Sequence, residues 1–72
     1  MTLRDNFDSA RETLGERLRR MRKERGWTQE QLAVQADTSQ AVIQKIENGK
    51  SLRPRKIDII ARVLEVDPAW LM

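Results

Sequence analysis

Gln40, Ala41, Gln44 and Lys45 are the side chains in this sequence whose types and spacing suit the reading of a base pair. A glutamine amide can bond bidentately to adenine, a lysine ammonium can donate to guanine, and an alanine methyl can rest against the methyl of thymine. At about 100° per residue these four share one side of a helix, while Val42, Ile43 and Ile46 take the opposite side. Glutamine and lysine are also routine on any solvated helix face. The elements around the face must therefore carry part of the argument.

What the composition lacks narrows the chemistry further. The sequence has no cysteine and no histidine, which removes disulfides, thiolate nucleophiles, the usual zinc ligands and the commonest general base. No nucleophile has a plausible base beside it, so neither an enzyme nor a cofactor is expected. A length of 72 residues allows one small domain. The formal net charge of +3 is too modest to identify a partner by itself. Its distribution says more: Arg17, Arg19, Arg20, Arg22, Lys23 and Arg25 crowd one stretch, and Arg53, Arg55 and Lys56 another. Such runs are either solvated faces or the footprint of a polyanion. No apolar stretch has the character of a signal peptide or the length of a membrane span. A cytoplasmic protein without a membrane partner is expected, associated with the nucleoid when bound to DNA.

The chain shows no internal repeat, low-complexity tract or linker, and its punctuation predicts an all-α fold, a compact bundle of four to five short helices. Thr13 and Glu16 form a capping-box pattern that opens a first helix running to about Arg25, with Leu14, Leu18 and Met21 as its buried stripe. Gly26 suits a left-handed stop, and Trp27 is expected to plug the core. Thr28 and Gln31 repeat the capping pattern and open a short helix to about Ala36, with Leu32, Ala33 and Ala36 inward. Asp37-Thr38-Ser39 is too short for anything but an abrupt change of direction, and Ser39 can cap the next helix, about Gln40 to Glu47. Asn48-Gly49 ends it and a loop follows. Pro54 is then expected in the first turn of a fourth helix with Ile57, Ile60, Ala61 and Leu64 as its stripe. Asp67-Pro68 opens a last turn bearing Trp70 and Leu71.

These signals place one domain over residues 13–72, with a helix-turn-helix at about 28–47. Residues 1–12 form either an arm or an extra helix, because Leu3, Phe7 and Ala10 continue the helical spacing of Leu14. The apolar end at Trp70-Leu71-Met72 predicts an N-terminal piece of a longer protein.

Two short helices joined by a tight turn form the arrangement that lets the second enter the major groove. The segments Thr28-Gln29-Glu30-Gln31-Leu32-Ala33, Ser39-Gln40 and Ile46-Glu47-Asn48-Gly49-Lys50 resemble the lambda-repressor/Cro (XRE-type) helix-turn-helix group. Arg53-Pro54-Arg55 and the late Trp70-Leu71 bring the likeness nearest to the N-terminal domains of phage repressors, over roughly residues 14–72. The resemblance implies base contacts from Gln40, Ala41 and Lys45, with Gln44 nearby. It implies phosphate contacts from Gln29, Asn48 and Arg53, and a minor-groove role for Arg55 between half-sites. It also implies a structural ion pair between Arg22 and Glu47 that links the first helix to the third.

A homodimer is implied too, with Arg53, Pro54, Val66, Pro68 and Trp70 at its interface, although core packing is the first expectation for Trp70. The function implied is sequence-specific binding of duplex DNA at a near-palindromic operator by a repressor of phage or prophage type, with no small-molecule ligand. An antitoxin or a restriction-modification controller would carry a similar domain, and a protein-interaction module could use the same scaffold. The sequence departs from the group at Asp37, where glycine is usual, and at Ala41 and Lys45, where the nearest phage repressors carry glutamine. No operator sequence transfers to it.

Overall fold

The computed structural model describes residues 12–72; all of the predicted arm or extra helix except Glu12 lies outside the described residues. Among the described residues five helices follow one another: α1 (Leu14–Glu24), α2 (Gln29–Gln35), α3 (Gln40–Glu47), α4 (Ile57–Leu64) and α5 (Pro68–Leu71). The described residues contain no strand, and the all-α expectation holds.

All of these helices except α4 begin where a side-chain oxygen satisfies a free backbone donor. The Thr13 hydroxyl accepts from the Glu16 N–H at 3.2 Å and the Glu16 carboxylate accepts from the Thr13 N–H at 2.9 Å. Thr28 and Gln31 repeat the exchange at 3.0 and 2.8 Å. Ser39 accepts from the Val42 N–H at 3.3 Å, and Asp67 from that of Ala69 at 2.8 Å. Each such cap contributes about 1 kcal/mol. The chain turns between α1 and α2 at Gly26, with φ +71°, and between α2 and α3 at Asp37, with φ +54°. Aspartate is among the few residues that adopt the left-handed conformation at modest cost.

Leu18, Leu32, Ile43, Ile46, Ile60, Leu64 and Leu71 are the largest side chains fully withdrawn from water, and they draw on every helix. The crossing of α1 over the end of α3 is close because Gly15 has no side chain. A Cβ there would lie 2.5 Å from the Ile46 carbonyl oxygen and 2.7 Å from that of Glu47.

The structure corrects two expectations. Pro54 is not in the first turn of the fourth helix. Its carbonyl accepts from the Ile57 N–H at 3.3 Å, closing a turn that precedes α4, and the Ile60 N–H to Lys56 carbonyl bond at 2.9 Å then starts the helix. A proline with φ near −65° suits either position, so its presence alone does not fix the boundary. Trp27 is half-buried rather than a plug, packed on the edge of the core with the Arg25 guanidinium 5.9 Å from its ring centre.

The far end of the bundle is closed by α5. Leu71 fills the core, and the half-buried Trp70 ring has the guanidinium carbons of Arg17 and Arg20 at 5.2 and 5.8 Å from its centre. Arg17 also donates to the Trp70 carbonyl. Trp70 therefore serves the packing of a single chain, as one of the two expectations for it held.

Candidate nucleic-acid interface

The turn between α2 and α3 is fastened from two directions. Within it, the Thr38 N–H returns to the Ala33 carbonyl at 2.9 Å and the Asp37 N–H to that of Val34 at 3.2 Å. From outside, the Lys56 ammonium donates to the Asp37 carbonyl at 2.9 Å, so the N-cap residue just before α4 also secures the corner. Nothing in the residue pattern signals this bond, because Lys56 reads as one more member of a basic run.

With the corner fixed and Ser39 capping its start, α3 turns Ile43 and Ile46 into the core and leaves Val42 half-buried. Gln40, Ala41, Gln44 and Lys45 are all exposed on the opposite side. The helical spacing placed these seven side chains correctly. Asn48 follows as the C-cap of α3, also exposed.

The pose of α3 is set at its C-terminal end by Glu47, whose side chain is buried. The Arg22 guanidinium grips it bidentately, with Nε 2.7 Å from Oε2 and Nη2 3.1 Å from Oε1, and Nη1 bonds the Trp27 carbonyl at 2.8 Å. Two further donors share Oε1: the Gln29 amide at 3.2 Å and Arg19 Nε at 3.4 Å. One carboxylate thus joins α1, the first residue of α2 and the last residue of α3. Burial by itself would push the Glu47 carboxyl up. The hydrogen bonds from Arg22 and Gln29, the charge of Arg22 and the Arg19 contact outweigh burial and hold it below the ordinary carboxylate value.

Arg22 and Glu47 meet as the resemblance implied. Gln29, expected on phosphate, rests on Glu47 and is half-buried. Arg53 and Arg55 are exposed on the segment before α4. Of the remaining residues assigned to a dimer contact, Val66, Pro68 and Trp70 are half-buried, while Pro54 is buried within the chain and has little surface to offer a second copy. The exposed apolar side chain in that segment is Leu52, at 71% exposure, which the sequence reading passed over. Among the described residues no cluster of acidic, histidine or cysteine side chains could hold a metal ion, and no helix is long and apolar enough to cross a membrane.

The helix-turn-helix family model matches residues 18–71, and the chain belongs to that family. It is similar to RghRB of Bacillus subtilis (strain 168), described as an uncharacterized HTH-type transcriptional regulator, with 46% identity over 60 residues. That match covers 81% of this chain and 43% of the relative, so the chain spans less than half the relative's length.

Proposed function

We propose that this chain is the DNA-binding part of a transcriptional regulator, a repressor of phage or prophage type that recognises a near-palindromic operator as a homodimer. The observation that carries the proposal is the exposed face of Gln40, Ala41, Gln44 and Lys45 on a helix whose opposite face is core and whose end is clamped by Arg22 and Glu47. Membership of the helix-turn-helix family and the likeness to a transcriptional regulator support it. A reading helix must be held rigidly to present donors and acceptors in register with base edges. The buried carboxylate performs that task from behind.

In this reading α3 lies in the major groove, with Gln40 and Lys45 donating to base edges, Ala41 touching a methyl group and Gln44 close by. Gln29, Asn48 and Arg53 hold phosphates and fix the register, and Arg55 responds to minor-groove width between half-sites. A second copy joins through the surface around Arg53, Val66 and Pro68 and reads the other half-site.

Selection of the purified chain on randomised duplex DNA tests the proposal. Enrichment of a near-palindrome with half-sites about one helical turn apart is the expected result. Binding that depends on salt but enriches no sequence would reduce the chain to a nonspecific binder, and an absence of binding would overturn the proposal. On the enriched site, Gln40→Ala or Lys45→Ala should each lose roughly 1–3 kcal/mol and blur one position, read by titration against single-base variants. Arg55→Ala should weaken binding more evenly.

A further inference from the structure

The basic run of α1 contains a side chain that the DNA-facing set above leaves unused. Arg19 is 52% exposed and reaches Glu47 Oε1 with Nε at 3.4 Å, the longest contact in that cluster. The same oxygen receives the Gln29 amide at 3.2 Å, so Arg19 and Gln29 lie side by side at the edge of the buried pair. Arg22 already answers the carboxylate with two bonds. Two arginines around one carboxylate leave one positive charge over, and the exposed member, Arg19, carries it to the surface.

We propose that Arg19 is a phosphate-binding residue, kept beside Gln29 by Glu47 in the absence of DNA and turned onto the backbone phosphate that Gln29 meets in the complex. This rests on the reading of α3 and Gln29 given above. A guanidinium presents a planar fork that matches phosphate oxygens bidentately, and a long, half-exposed contact to a carboxylate contributes little that must be given up. Glu47 loses no essential partner in the exchange, because the buried Arg22 remains in place. The carboxylate therefore acts as a holding point that orients Arg19 before contact.

The test is titration of the enriched duplex over a range of salt concentrations with the parent chain, Arg19→Gln, Arg19→Ala and Arg19→Lys, with Lys45→Ala as the reference for base reading. Arg19→Gln and Arg19→Ala should each make the slope of log affinity against log salt shallower by about 0.9, the share of one phosphate contact. Base preference and thermal midpoint should stay close to the parent's, and Arg19→Lys should keep most of the slope. An unchanged slope in both neutral variants, with Lys45→Ala still weakening the preferred site, overturns the assignment of Arg19 and leaves the reading helix standing. A lowered midpoint with an unchanged slope does the same, since it marks Arg19 as structural. If Lys45→Ala binds as the parent does, or the parent binds no duplex, the reading of α3 fails and the role of Arg19 falls with it.

Discussion

Glu47 concentrates more of the site's energetics than any other side chain. Its removal leaves the Arg22 guanidinium buried without a carboxylate, which typically costs about 3–5 kcal/mol. Glu47→Ala should therefore lower the urea midpoint far more than loss of an exposed acidic residue such as Glu30. The depressed carboxyl also sets a pH dependence. A group whose pKa is lower folded than unfolded stabilises fully above its unfolded value and loses that contribution as pH falls through its folded value. The chain should keep its stability from neutrality down to the ordinary carboxylate range and then lose it on further acidification. Glu47→Gln should start less stable and show a smaller acid-induced drop, as read by thermal melts at neutral and acidic pH. At this scale the sequence was legible where the physics is local. The outward set on α3 follows from spacing alone. The Arg22–Glu47 pair came through resemblance, and the arrival of Gln29 and Arg19 on one oxygen depends on three elements meeting in space, which no spacing encodes.

Among the elements, the caps were readable and the crossings were not. Thr13, Thr28, Ser39 and Asp67 each bond a backbone donor two or three residues on, so their signals lie within one turn. Pro54 misled because proline is accommodated both before and within a first turn. Gly15 carries no local signal, because the carbonyls that forbid it a side chain come from α3. Gly15→Ala gains about 1 kcal/mol of helix propensity and meets two backbone oxygens that cannot move independently of α3. The net effect should be a loss of about 1–3 kcal/mol, the usual cost of overpacking. Chemical denaturation measures it. A stability equal to or above the parent's would show that the two helices can part freely.

For the whole molecule, the question is how so short a chain closes its core. α5 answers it by placing Leu71 inside and stacking Trp70 beneath Arg17 and Arg20, which ties α5 to α1. A cation over an indole contributes roughly 0.5–2 kcal/mol, depending on how dry it is. Trp70→Ala should lower the thermal midpoint by the same amount at low and high protein concentration, because the ring acts within one copy. A drop that shrank on dilution would instead place its main contribution between two copies. Sequence periodicity left both roles open, since half-burial in one chain looks the same from the residue pattern as burial between two.

The separation of the two faces of α3 has a bearing on how such a chain can change over generations. Ile43 and Ile46 answer to the core, whereas Gln40, Ala41, Gln44 and Lys45 stand exposed on the far side. Surface replacements away from special contacts usually alter stability by no more than about 0.5 kcal/mol. Substitution at those four positions is therefore nearly free for folding. A lineage built on this scaffold can retarget by drift at the outer positions while the inner ones stay under constraint, so divergence between copies should accumulate on one side of a single helix.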